Sequence, residues 1–306
     1  MDSKREILSW STSAPSQGYV NGCNRSRVMG SYVERLRFYT SVTKTKKLKY
    51  LLNSMGSVLI SLSGGVDSAF LLQIASETLK EKVKAVTFTS PIFSRNDLMR
   101  AENLTKQLKI DHIKIKFDIL AHKDFCKNDK MRCQVCKTKM IEALQKEAKK
   151  QGMSCIADGS NIDDIKDYRP GLDIAQKLGI QSPLLAAGLG KEQIRQEARE
   201  RKIEIWNTPS SACLASRIAY GTYINGGNLS IIEKGEEFLH QLGFREVRIR
   251  YHPPIARIEV STQEIVRLAE LPTRDKVVEK LKELGVTYIT LDLSGFRSGS
   301  MNDLLS

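Results

Sequence analysis

Between residues 58 and 157 the apolar positions fall into short blocks that alternate in kind. The run Val58-Leu59-Ile60-Ser61-Leu62 is compact and continuous, as in a strand buried on both faces. From Val66 to Leu79 the apolar residues fit a helix. Val83–Thr89 then reads as a strand, Asp97–Leu108 as a helix, Asp111–Phe117 as a strand, Val135–Gln151 as a helix, and Ser154–Ala157 as a short strand. Lys44 to Met55 precedes them as a short basic helix. Strands alternating with helices imply parallel β-α-β units with right-handed crossovers, so the fold class is α/β with a doubly wound, mostly parallel sheet. Residues 165–212 are less regular, apart from a helix over Gly190–Arg201. From Ser230 the pattern restarts as a helix to Leu242, strands Glu246–Tyr251 and Ala256–Val260, helices to Leu284, and a strand over Val286–Asp292. This is read as a smaller α+β domain. The expected division is a basic tail over 1–43, an α/β domain over 44–214 and a C-terminal domain over 215–306.

Composition changes this picture little. The chain has 306 residues, 41% apolar and 27% charged, as expected of a globular protein. No run of about 18 apolar residues appears, and the N-terminus lacks a secretory core. A cytoplasmic protein is therefore expected. The net charge of +13 suggests an anionic partner. Residues 1–48, however, hold nine Lys/Arg against three Asp/Glu, nearly half of that surplus. Their Ser-, Asn- and Gly-rich character reads as a poorly ordered tail, and Met29 is an alternative start. Nucleic-acid binding is thus not the favoured explanation of the charge.

The strongest chemical signal is Ser63-Gly64-Gly65-Val66-Asp67-Ser68, between the first strand and its helix. A strand, a Gly-Gly turn and a helix start build an anion site. Glycines let the backbone approach phosphate, serines donate hydroxyls, and Asp67 either caps the helix or holds Mg²⁺. No Gly-Lys-Ser/Thr follows, so this is not a Walker A loop, nor is it G-x-G-x-x-G. It resembles the PP-loop of the ATP pyrophosphatase superfamily. That resemblance implies an enzyme cleaving ATP to AMP and pyrophosphate, with adenine held by backbone around Phe88 and Thr89. Arg95 would then stand near phosphate, or be an ordinary surface arginine. Asp158-Gly159-Ser160-Asn161 closes the site. The acidic pair Asp163-Asp164 either binds Mg²⁺ with Asp67 or caps a helix.

Three further groups of strings narrow the resemblance. They are Asp158–Asp164 continuing to Asp167-Tyr168-Arg169-Pro170-Gly171, Ser210-Ser211-Ala212-Cys213-Leu214-Ala215-Ser216-Arg217-Ile218, and a C-terminal group. The last comprises Val247-Arg248-Ile249-Arg250-Tyr251-His252, Ala256-Arg257-Ile258-Glu259-Val260 and Gly295–Asn302. In this order they resemble the LarE-type sulfur transferases, the sulfur insertases of nickel-pincer nucleotide biosynthesis, over roughly residues 40–306. The resemblance implies pyridinium-3,5-biscarboxylic acid mononucleotide as substrate, adenylylation of a carboxylate with ATP and Mg²⁺, and a thiocarboxylate product. It further implies Cys213 as sulfur donor, Glu236 or Glu237 near the reactive centre, and an arginine pair, Arg248 and Arg250, on the substrate phosphate. The alternative for that pair is a solvated strand face. Arg217 is expected to favour the Cys213 thiolate.

Six cysteines occur. Cys23 lies in the tail, and Cys155 reads as core. Cys133 and Cys136 form a CxxC pair. They could hold a [4Fe-4S] cluster together with Cys213, as in related PP-loop thiolases, or act as a redox or sulfur relay, or be inert. Zinc lacks enough ligands. A sulfide source and a homo-oligomer are the partners implied, with no membrane. The competing functions are a PP-loop tRNA thiolase, an ammonia-using synthetase of the NAD or GMP type, and a non-enzymatic nucleotide sensor.

Overall fold

In the computed structural model, residues 43–165, 170–209 and 212–297 are described, with the side chains of 170–172 excepted. The expected tail up to residue 42, Cys23, the alternative start, Asp167–Arg169, Ser210-Ser211 and Ser298–Asn302 lie outside them. A basic helix α1 spans 43–55, with Leu48 and Leu52 fully buried beneath its lysines. It leads to β1 (Val58–Ser61), α2 (Val66–Leu79), β2 (Val83–Thr89), α3 (Arg95–Leu108) and β3 (His112–Lys116). Next come a single-turn α4 (Lys123–Cys126), the long α5 (Arg132–Lys150) and β4 (Cys155–Ala157). The first sheet is wholly parallel in the order β3-β2-β1-β4. The chain winds outward from β1 to β3, then returns to β1's other edge. The order therefore reverses between β1 and β4, and the crevice at their carboxyl ends is where an open α/β sheet binds ligands.

Side-chain alternation explains the two helical layers. Val58 and Ile60 of β1, with Val83 and Ala85 of β2, enter one apolar cluster with Leu48, Phe70 and Ile194. Leu59, Val86 and Phe88 point to the other face and meet Ile141 and Leu144 of α5. This second cluster continues without a break to Ile249, Ile258 and Val260 of the C-terminal sheet. The described residues form one compact unit.

The stretch that reads as irregular holds α6 (Pro170–Lys177) and α7 (Pro183–Ala187), and the helix expected over Gly190–Arg201 follows as α8 (Lys191–Glu200). The shortness of α6 and α7 explains the weak signal there, since α7 is five residues and cannot display a period. The remaining elements are α9 (Gly226–Gln241), β5 (Val247–His252), β6 (Ile255–Val260), α10 (Ile265–Ala269), α11 (Thr273–Glu283) and β7 (Tyr288–Leu291). β5 and β6 pair antiparallel, and β6 and β7 pair parallel. A lone bridge between Ile218 and Tyr251 attaches the segment after Cys213 to β5. No helix among the described residues is long and apolar enough to cross a membrane.

Candidate active site

The loop after β1 is held by its own serines. Ser63 N–H donates to Ser68 Oγ at 3.2 Å, Gly65 N–H donates to Ser63 Oγ at 3.3 Å, and Ser68 Oγ donates to the Gly65 carbonyl at 3.1 Å. Gly65 is the N-cap of α2 and supplies no side chain to the first-turn amides. Two glycines are sterically required. Gly64 has φ +78°, and a Cβ there would stand 2.1 Å from the Asp97 carbonyl oxygen. A Cβ on Gly159 would stand 2.7 Å from the Ser68 nitrogen. The turn after β4 is thus pressed onto the start of α2, at the reversal point of the sheet. Uncapped amides in a glycine cradle fit the phosphates of ATP.

Phe88 is buried against Phe117, with ring centroids 5.2 Å apart. Thr89 Oγ1 donates to the Ile115 carbonyl at 3.3 Å. These two residues end β2 beside the cradle. The acidic residues are less open than expected. Asp163 Oδ2 accepts the Lys191 N–H at 2.8 Å, so it serves the N-terminus of α8. Asp164 Oδ2 accepts the Asn161 N–H at 3.0 Å, while its Oδ1 lies 3.5 Å from Lys191 Nζ. Asp158 accepts from Ser160 N–H and Ser182 Oγ and pairs with Lys137. Asp67 stands in the first turn of α2. Such hard carboxylates suit Mg²⁺ in kind.

A cavity of about 1050 Å³ opens beside this half-site, with Ser94, Arg95, Arg100, Arg217, Glu236 and Arg248 in its wall. Arg100 links it to the loop, since its Nε donates to the Gly64 carbonyl at 3.2 Å while Nη2 pairs with Asp97. Arg95 points outward, and Glu233 accepts its backbone N–H at 2.8 Å. Neither Arg100 nor Glu233 carried a signal in the sequence, because the contacts that bring them to the site, to Gly64 and to Arg95, are remote in the chain.

Cys213 precedes a 3₁₀ turn, Leu214–Arg217. Arg217 is 2% exposed and does not address the sulfur. Its Nη1 donates to the Ala212 and Cys213 carbonyls at 2.5 and 3.0 Å, and its Nε and Nη2 donate to the Glu236 carboxylate at 3.1 and 3.2 Å. Glu236 Oε1 also accepts the Ile249 N–H at 3.0 Å. The expected thiolate partner is thus an anchor tying the Cys213 backbone to α9 and β5. The next strand residue on each side of Ile249 is an arginine. Arg248 lines the cavity and rests on the Phe296 ring. Burial, with Arg217 nearby, pulls its guanidinium down to about 10, so it stands to gain from an anion. Arg250 instead pairs with Glu259 at 2.9 Å, and Glu259 also takes Arg257 at 3.2 Å.

Cys133 and Cys136 lie in the first turns of α5, which starts three residues earlier than its apolar pattern suggests. Burial, followed by the charges of Cys213 and Cys133, pushes the Cys136 thiol up to about 12. Cys136 and Cys213 pack against the same apolar cluster, with Cys133 one turn from Cys136 on α5, and no three His, Cys, Asp or Glu side chains among the described residues converge as metal ligands do. Their chemistry, three thiols, suits iron–sulfur ligation in kind.

A doubly wound sheet with this loop at its reversal point defines an enzyme of the ATP-using PP-loop class. The NAD synthase family model matches residues 42–143, the part carrying the loop. An uncharacterized protein of Synechocystis sp. is 31% identical over 264 residues, 86% of this chain and 98% of that one. The pyridinium-3,5-bisthiocarboxylic acid mononucleotide synthase of Lactiplantibacillus plantarum is 34% identical over 268 residues, 87% of this chain and 96% of that one. A probable tRNA sulfurtransferase of Methanobrevibacter smithii is 24% identical over 151 residues, 47% of this chain and 40% of that one. The chain belongs to the LarE family of the pyridinium-3,5-bisthiocarboxylic acid mononucleotide synthase.

Proposed function

We propose that the protein uses ATP to convert a carboxylate of pyridinium-3,5-biscarboxylic acid mononucleotide into a thiocarboxylate. A carboxylate oxygen attacks the α-phosphorus, and pyrophosphate leaves. The resulting acyl-adenylate is a good electrophile. The Cys213 sulfur attacks its carbonyl, and AMP leaves. Loss of the Cys213 Cα proton and cleavage of its Cβ–S bond then release the thiocarboxylate and leave dehydroalanine. Ser63–Ser68, Phe88, Thr89 and Gly159 hold the nucleotide, and Arg95 stands where phosphate emerges. Mg²⁺, held by Asp67 with Asp163, would neutralise phosphate charge. Arg248 takes the substrate phosphate, and Arg250, paired with Glu259, holds the strand that carries it. Glu236 places Cys213 and closes the reactive centre. We divide the chain functionally near residue 215, with an activating half before it and a substrate half after it. The subunits would form a homo-oligomer.

One observation carries this. Arg217 and Glu236 tie the Cys213 backbone to β5, beside a cavity whose other wall holds the Gly64 loop through Arg100. Cys133, Cys136 and Cys213 would hold a [4Fe-4S] cluster, which when bound supplies an extra sulfide and spares Cys213. The test is pyrophosphate release with the pyridinium dicarboxylate mononucleotide or with tRNA, scored beside thiocarboxylate by mass spectrometry. Release with the mononucleotide is expected. Cys213→Ala should keep it and lose the product in protein isolated without iron. ATP cleavage triggered by tRNA alone would sink the proposal and favour the thiolase function.

A further inference from the structure

Resting on that sulfur-transfer function, we infer that Asn128 and Arg132 are positioning residues that clamp the 215–224 segment onto the start of α5 and so set Cys213, two residues before it, relative to the CxxC pair. Asn128 is fully buried and left-handed, at φ 56°, a conformation asparagine tolerates better than most residues. Its amide nitrogen lies 2.7 Å from the Ala219 carbonyl, 3.1 Å from Thr222 and 3.3 Å from Ile218. Its own carbonyl accepts the Gly221 N–H at 3.1 Å, and the Cys126 carbonyl accepts the Ile224 N–H at 2.9 Å. One short stretch therefore satisfies the backbone of a loop some ninety residues away.

Arg132 completes the clamp. Its Nη1 donates to Asn128 Oδ1 at 2.5 Å and to the Ala215 carbonyl at 3.1 Å. Its Nη2 lies 3.7 Å from Cys133 Sγ, and its plane sits 5.4 Å from the centre of the Tyr220 ring. Arg132 as a whole is 5% exposed. Arg217 and Glu236 hold the Cys213 carbonyl on the α9 and β5 side, whereas Arg132 and Asn128 hold the chain just after it, from Ala215 to Thr222, against α5. The first pair serves the electrophile, and the second aligns the sulfurs.

The test cross-links the full-length protein with dibromobimane and maps the linked cysteines by mass spectrometry. Wild type should join Cys213 to Cys133 or Cys136. Arg132→Met should lose about nine-tenths of that product and slow thiocarboxylate formation by about 100-fold, since a displacement near 1 Å suffices for that. Pyrophosphate release and the KM for ATP should stay near wild type. Arg132→Lys, which keeps the charge but not the fork, should fall between. Asn128→Ala removes more hydrogen bonds and is read only where its thermal midpoint shows it folded; there it should lose the cross-link as well. Wild-type cross-linking and sulfur transfer in Arg132→Met would overturn the inference, as would a parallel fall of pyrophosphate release and product. A wild type that cross-links but makes no thiocarboxylate would support the clamp and refute the proposed function.

Discussion

Gly64→Ala probes the nucleotide cradle, and the geometry sets its size. The new methyl carbon would stand 2.1 Å from the Asp97 carbonyl oxygen, where ordinary contact begins at 3.4 Å. The obstacle is backbone in the first turn of α3, so no side chain can swing away. The turn must shift by roughly 1 Å. A non-glycine residue at φ +78° costs about 1–2 kcal/mol, and forced overpacking about 1–3 kcal/mol more. Together they lower the thermal midpoint by roughly 5–15 °C. The catalytic loss is larger, because displaced amides no longer meet the phosphates, and pyrophosphate release should fall about 100-fold. Gly152→Ala is the control. Its φ is +64° and nothing lies within 4 Å of the added carbon, so only the conformational cost of about 1–2 kcal/mol applies. Differential scanning fluorimetry and a coupled pyrophosphate assay measure both effects. If Gly64→Ala matches Gly152→Ala in both, the cradle argument is wrong.

Other substitutions separate the remaining parts. Arg248→Ala should raise the KM for the mononucleotide by about 10- to 100-fold with little change in kcat, as removal of uniform binding does. Arg250→Ala should instead cost stability, about 3 kcal/mol, by leaving Glu259 short of a partner in the core; a urea midpoint distinguishes the two. Arg217→Met strands the buried Glu236 carboxylate and frees the Cys213 carbonyl. It should cost about 3–5 kcal/mol, and thiocarboxylate formation should fall more than pyrophosphate release; equal falls would contradict the anchor role. Stability should also depend on pH on both sides of neutrality. Burial lowers the pKa of His112 and His252 from 6.5, so the unfolded chain binds more protons and stability falls as pH drops below 6.5. Cys136 rises from 9.0 to about 12, so stability falls as pH climbs through that interval. Denaturant midpoints across pH should show the alkaline limb flatten in Cys136→Ala, and an unchanged limb would contradict that account.

Ser63–Ser68 were legible because their chemistry is contiguous. An apolar strand, two glycines and a helix start are neighbours in the chain, and neighbours need no tertiary information to build an anion cradle. The alternation from Val58 to Ala157 exposed the parallel sheet for the same local reason. Ordering of β4 beside β1 was not in that pattern, and it alone brings Gly159 against Ser68. Arg217 shows the same boundary from the other side. Four residues from Cys213, it looks like a thiolate partner, but burial commits it to Glu236 and two carbonyls. Arg248 and Arg250 share a strand face by period, yet only packing decides that one faces the cavity and the other Glu259. The three cysteines were visible as residue types some eighty positions apart. Where the loop after Cys213 lies against α5 depends on Asn128 and Arg132 satisfying its carbonyls. The sequence by itself determined the local chemistry of phosphate and sulfur. The tertiary structure decided which buried groups are spent on one another, because that choice is made by desolvation and long-range contact, and neither has a period along the chain.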